Sequence, residues 1–331
     1  MSGPHGPAVT APKRKRAKLA PTAALLGACL LSFLCHAQAP PSLMDEVVVT
    51  GERTGPGMWH VHHGSAQLWI LGSLSPLPKG ITWKANEVER VLDGANRVLV
   101  PKPIEIGIVR ILWLLITERK LLMVQGGKRL KDVLPPNLYT RFARLRTTYN
   151  DDPDKWERYR PLIATAFLQQ AAFHRVGLSA RLDLGASVRT LAKKHHVPVD
   201  EVKIAGVGDV LETLKTMQRS TENTCVEASL VTIESGLPRL IDRAQAWATG
   251  NVERIENLPE PAEVNACLAA LDTGTVTGDL IARVRRTWLE SMEKSLQGSA
   301  VTLAVVNMDM LLGNAGLLAE LRKKGYEIDA P

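Results

Sequence analysis

Two similar strand–loop–helix units, one near residue 67 and one near residue 301, constrain this chain more than any other feature. In the first, Gln67-Leu68-Trp69-Ile70-Leu71 is a short apolar run bounded by Gly72, the pattern of a buried strand. The loop Gly72 to Gly80 follows. Thr82 is then expected to cap a helix with Val88, Val91 and Leu92 on one face, and Arg97-Val98-Leu99-Val100 reads as the next strand. In the second, Val301 to Val306 is a buried-strand run and Asn307 to Gly313 is a loop. Asn314 is the expected cap of a helix whose inner face is Leu317, Leu318 and Leu321, with Gly325 as its stop.

The region between them reads mostly as helix. Pro161 suits the first turn of a helix running to Gly177, and Leu211, Leu214 and Met217 form an amphipathic stripe. Further helical segments near 225–249 and 279–297 place Trp247 and Trp288 in the core. The expected fold is therefore α/β (mixed α+β), a central β-sheet built from two strand-loop-helix units with a large helical insertion.

Charge looks informative until it is located. The chain carries 41 Lys+Arg against 34 Asp+Glu, a formal net charge of +7. Five of the basic residues (Lys13, Arg14, Lys15, Arg16, Lys18) fall in the first 39 residues, which hold no acid; the remainder carries 36 against 34, a net of +2. The bulk of the chain thus has no electrostatic case for nucleic acid. The basic opening is followed by the apolar stretch Ala20 to Leu34 and by Cys35-His36-Ala37-Gln38-Ala39. That is the order of a secretory signal peptide, with cleavage near Ala37 or Ala39, and the apolar run is short for a spanning helix. The expected location is periplasmic or secreted. The rival is a protein anchored in the inner membrane by an uncleaved leader, which would keep it close to the membrane.

Residues 40–57, rich in Pro and Gly, read as a linker or extended arm with Asp45 to Thr50 as a short strand, and 58–331 as the folded domain. Beyond the leader the cysteines are Cys225 and Cys267, both on expected helices. In an oxidising compartment they can form a disulfide, and otherwise they are small buried apolar residues.

Taken in order, several runs resemble the TraB/GumN family, which includes the TIKI proteases. Leu68-Trp69-Ile70-Leu71-Gly72-Ser73-Leu74-Ser75 is similar to the family's opening motif, and Gly313-Asn314-Ala315-Gly316-Leu317-Leu318 with Leu321 and Gly325-Tyr326 to its closing one. Leu130 to Pro135, Trp156 with Tyr159-Arg160-Pro161, and Ala246-Trp247 before Gly250-Asn251 fall between them in the family's order. The resemblance covers residues 45–331. It implies a metal-dependent hydrolase using two histidines, one in each Gly-x-x-His motif, and an acidic residue after the first helix. Such a metal lowers the pKa of its bound water toward neutrality. This chain departs from that set: Ser75 stands in the first histidine position, Asn307 and Met310 in those of the second Gly and His, and Pro101 in the acidic one.

The remaining candidates are weighed on chemistry. His60, His62 and His63 precede the first strand; His60 and His62 share a face of an extended chain, and a metal there needs a third ligand from elsewhere. His195-His196 close a helix and read as structural. Ser75 lacks a Gly-x-Ser-x-Gly context and reads as a turn residue. Gly206-Val207-Gly208-Asp209 lacks phosphate-loop spacing, which leaves Asp209 as a helix cap, and Asp151, Asp152 and Asp154 read as a solvated helix start. By the family resemblance, Ser75, Lys79, Lys102, Asp309 and Met310 fall in or beside loops at strand ends, where an α/β sheet binds ligands.

The expected activity is binding of a small molecule, peptide, envelope component or protein partner by a member of this family that has lost its catalytic set, with no cofactor and no nucleic acid. The alternative is an active hydrolase with rewired ligands that uses a divalent metal (Zn, Mn or Co).

Overall fold

The computed structural model describes residues 55–103, 117–150, 152, 154–180, 182–258, 260–272 and 276–331, all within one compact unit, Val47–Pro331. The leader and the Asp45 to Thr50 strand lie outside the described residues.

Strand β1 (Met58–His63) turns back into β2 (Ala66–Ser73), antiparallel, with Trp59 opposite Ile70 and His60 opposite Trp69. The short β3 (Leu77–Pro78) precedes helix α1 (Asn86–Gly94) and strand β4 (Arg97–Pro101). After the insertion begins come α2 (Arg119–Leu122), a 3-10 turn at Leu130–Asp132, α3 (Pro136–Tyr149) and α4 (Pro161–Arg175). Next are β5 (Leu178–Ser179), α5 (Leu184–Lys194) and β6 (Val199–Val202). Helices α6 (Val207–Thr216), α7 (Arg219–Val231), α8 (Leu237–Ala248), α9 (Val252–Glu256), α10 (Ala262–Asp272) and α11 (Val276–Ser295) follow. The chain ends with β7 (Val301–Asn307), α12 (Met308–Leu311), α13 (Leu317–Lys323) and β8 (Glu327–Asp329).

The main sheet runs β6-β4-β7-β2-β1-β8, and β3 pairs separately with β5. Its β6, β4, β7 and β2 are mutually parallel, whereas β1 and β8 join antiparallel. The two sequence units thus lie side by side: β2 pairs with β7 from Gln67↔Val301 to Ser73↔Asn307. Both faces of this centre are covered, which is why β7 reads as an unbroken apolar run with Leu303, Ala304, Val305 and Val306 fully buried. Trp247 and Trp288 are buried in the same core.

Several local expectations need correction. Helix α1 starts at Asn86 with Ala85 before it, so Thr82 is not its cap. Asn307 to Gly313 is not all loop: Asn307 accepts a hydrogen bond from the Asp309 N–H and starts α12. Helix α13 starts after Gly316 rather than at Asn314. Asp209 is the third residue of α6 and accepts from the Gly206 N–H at 2.7 Å. Asp152 and Asp154 stand in a turn after α3, with Arg129 on Asp154; Asp151 lies outside the described residues.

The insertion has its own apolar cluster, including Leu130, Phe142, Leu168 and Leu230. Cys225 on α7 and Cys267 on α10 are disulfide-bonded, with 4.7 Å between their Cα atoms. Glu234, in the wide helical turn Thr232–Gly236 between α7 and α8, accepts hydrogen bonds from Arg141 (3.2 and 2.7 Å) and Arg144 (2.8 Å) on α3.

The Arg141 hydrogen bond holds the Glu234 carboxyl below its ordinary 4.5 against the opposing effect of burial. A depressed carboxyl stabilises the fold above its unfolded-state pKa, and that contribution disappears as pH falls through the folded value. Glu234→Gln is therefore expected to cost about 1–2 kcal/mol at neutral pH, and less at an acidic pH below the ordinary 4.5, as the carboxyl takes up its proton. Urea unfolding at both pH values checks this; the same deficit at each would show that charge is not the cause.

Candidate functional site

The four parallel strands bring the carboxyl ends of β2, β4, β6 and β7 to one edge of the sheet, where an open α/β sheet offers its crevice. Gly72 organises this edge. A Cβ there would lie 2.2 Å from the Met308 sulfur and 3.1 Å from the Trp59 ring, and the Gly72 carbonyl accepts a 2.7 Å hydrogen bond from the Trp247 indole. Only a residue without a side chain lets β1, α8 and α12 approach here together.

The positions matching the family's ligands are taken up otherwise. Ser75 donates to the Ala180 carbonyl at 3.5 Å. Asn307 spends its side chain on the Asp309 N–H, and Met310 is half-buried against the core. The Pro101 carbonyl accepts a 2.5 Å hydrogen bond from Arg189, whose guanidinium also faces Asp183 and Glu201. Asp309 pairs at 2.5 Å with Arg243, a buried residue that shares Glu260 with Arg239. Lys102 pairs with Glu201 at 3.8 Å, and Lys79 is exposed.

No hydrogen bond or ion pair joins any two of Ser75, Lys79, Lys102, Asp309 and Met310. Ser75, Lys102 and Asp309 follow the carboxyl ends of β2, β4 and β7, each engaged in its own corner. Among the described residues the set does not suit a divalent cation: Arg189 lies on the Pro101 carbonyl, Arg243 on Asp309, and neither a histidine nor an unpaired carboxylate stands at the family's ligand positions.

A second site was not foreseen from the sequence. The segment Met123 to Arg129 folds back beside Trp156 to Arg160: Met123 bridges Tyr159, the Val124 N–H donates to the Arg158 carbonyl (2.8 Å) and the Arg160 N–H to the Leu122 carbonyl (2.9 Å). Gly126 and Gly127, at φ of +70° and +69°, supply the left-handed turn this requires. On one side lies a cavity of about 530 Å³ whose walls include Lys120, Lys128, Arg160, Arg219, Asp132, Glu222 and Asn223. Both carboxylates are already engaged, Asp132 by the Arg129 N–H and Glu222 by Arg160. The Asn223 side-chain oxygen is buried with no partner among the described residues.

On the other side an adjoining cavity of about 760 Å³ is lined by Arg119, Lys120, Lys128, Arg129 and Arg158, with no acidic residue among the described residues of its wall. Of these five, Arg129 alone makes an ion pair among the described residues. Sizes in this range suit small ligands, and the surplus of positive charge suits an anion. The Leu121-to-Lys131 stretch, with two glycines and Lys128, Arg129 and Lys131, was the available sequence signal.

His60 and His62 lie on one face of β1, and Asp329 of β8 lies against them; His63 points elsewhere, edge-on to Tyr326. His195 caps the end of α5 and pairs with Asp93 at 2.8 Å.

No curated protein and no solved structure matches the chain. The model of the TraB/PrgY/gumN family matches residues 57–330, which is nearly all of the folded region. With its two edge-defining units and the helical insertion both inside that span, the chain belongs to the TraB/PrgY/gumN family.

Proposed function

We propose that this chain is an exported member of the family that has lost the metal-dependent hydrolase chemistry and works by binding a ligand bearing carboxylate or phosphate groups, such as an acidic peptide or an envelope component. The observation that carries this reading is the cavity walled by Arg119, Lys120, Lys128, Arg129 and Arg158, with no carboxylate among the described residues that line it. Loss of the catalytic set is supported by Ser75, Asn307 and Pro101, each engaged in a hydrogen bond that maintains the fold. Export is supported by the order of charge, apolar run and small residues in the leader. It is also supported by the bonded Cys225 and Cys267, since disulfides persist in oxidising compartments. Among the described residues, no helix is long and apolar enough to cross a membrane.

Calorimetric titration with pyrophosphate and with tetraglutamate tests the reading. At least one is expected to bind, and affinity is expected to fall as salt rises, because exposed cations are screened. Lys128→Glu combined with Arg158→Glu is expected to weaken binding at least about tenfold, the equivalent of about 1.4 kcal/mol. Failure of both anions to bind, or unchanged affinity in the double variant, would overturn it.

A further inference from the structure

The edge of the sheet away from the parallel strands carries a different chemistry. His60 and His62 are two residues apart on β1, so both rings stand on one face. Strand β8 pairs with β1 in the register His60↔Asp329 and His62↔Glu327, which sets a carboxylate directly across from each imidazole. Behind them, β2 places Trp69 opposite His60. The two rings stack with centroids 4.2 Å apart and planes 15° apart, so His60 is held in orientation by an indole face.

The separations are informative. His60 Nδ1 lies 3.4 Å from Asp329 Oδ2, and His62 Nε2 lies 3.5 Å from the same oxygen. Both are long for hydrogen bonds, which centre near 2.9 Å. They match the spacing of donors around a tetrahedral ion: ligand bonds of about 2.0–2.1 Å put neighbouring donors about 3.4 Å apart. One donor atom from each of the three residues falls within 4.8 Å of the others. The Nε2 of His60 is buried without a partner among the described residues, which leaves Nδ1, on the Asp329 side, as the nitrogen open to an ion. Glu327 lies 3.7 Å from His62 Nδ1, in the position of the carboxylates that orient metal-binding histidines. Asp329 is largely exposed, so the fourth position opens to solvent.

We propose that His60, His62 and Asp329 form a binding site for one zinc-class divalent metal ion, with water completing its shell and Glu327 orienting His62. Two imidazole nitrogens with one carboxylate oxygen suit zinc and cobalt better than magnesium or calcium, which prefer all-oxygen sets. The site closes β1 onto β8 and so pins the C-terminal strand to the sheet. It is independent of the anion cavity, which lies in the helical insertion and shares no residue with it.

The experiment is Co(II) titration of the full chain, followed through the visible bands of tetrahedral cobalt, with zinc retained after dialysis measured by mass spectrometry. One equivalent is expected. His60→Ala, His62→Ala and Asp329→Ala are each expected to weaken binding at least about 100-fold, and Glu327→Gln about tenfold. His195→Ala, a histidine paired with Asp93 elsewhere, is the control and leaves binding unchanged. Circular dichroism of each variant shows that the fold persists. Absence of bound metal in the parent chain, or one equivalent retained by the His60→Ala/His62→Ala variant, would overturn the proposal.

Discussion

Arg146→Met is expected to lower the free energy of unfolding by about 3–5 kcal/mol, because it strands a buried carboxylate. Arg146 on α3 and Glu157 are both buried, and one guanidinium nitrogen of Arg146 donates to Glu157 Oε1. That oxygen also accepts from the Tyr139 hydroxyl at 3.0 Å. Burial, followed by the neighbouring carboxylate, pushes the Tyr139 phenol up in pKa, so the hydroxyl keeps its proton for this bond. With Arg146 gone, Tyr139 is the one side-chain donor left to Glu157 among the described residues. The charge must then protonate or draw in water, and either costs free energy.

The consequence reaches the cavity wall. The Glu157 carbonyl accepts the Leu130 N–H at 2.7 Å, and the next residue, Arg158, holds Val124 through its carbonyl. Loosening Glu157 therefore loosens both strands that shape the cationic cavity. The paired variant Arg146→Met/Glu157→Leu removes both charges at once and is expected to regain most of the loss. Guanidinium unfolding of the parent, the two single variants and the double variant measures the coupling. Losses that simply add, or an Arg146→Met loss below about 1 kcal/mol, would show that the pair is not a buried unit.

The contrast between what the sequence disclosed and what it concealed follows the range of the forces involved. Val301 to Val306 and Leu68 to Leu71 are recognisable as strands because burial on both faces leaves them continuously apolar. Trp247 and Trp288 are recognisable as core for the same reason. Helix starts were misplaced where a tight tertiary fit overrode a good capping residue. A Cβ at Gly316 would lie 2.3 Å from the Leu311 and Leu312 carbonyls, so the chain must turn there and α13 begins after it, although Asn314 is the better cap by type.

The sites divide in the same way. The two-residue period placed His60 and His62 together, but Asp329 joins them through strand pairing across most of the chain, which no local pattern encodes. His63 follows His62 directly and so falls on the opposite face, outside the cluster. The cations Lys120, Lys128 and Arg158 read singly as surface residues. They become one wall when Met123 bridges Tyr159, a contact set by folding and not by spacing.

Removing the disulfide by Cys225→Ala/Cys267→Ala is expected to cost about 4 kcal/mol, the chain-entropy value for a cross-link that closes a 42-residue separation. The bond ties α7, which packs against α4 in the insertion, to α10, which lies along α7 with Val264, Cys267, Ala270 and Leu271 half-buried. With no residue of α10 fully buried, loss of the cross-link is expected to appear first as local opening of 262–272 in hydrogen exchange. Reductant added to the parent protein should lower its stability to that of the double variant and leave the variant itself unchanged. Reductant acting equally on both, or a cost below about 1 kcal/mol, would count against the cross-link as a source of stability. The same bond reports on the compartment. Differential alkylation of protein taken from its native host is expected to find Cys225 and Cys267 protected until reduction. Both found alkylated at once would remove the support that the disulfide lends to export, because a reducing cytosol keeps such thiols free.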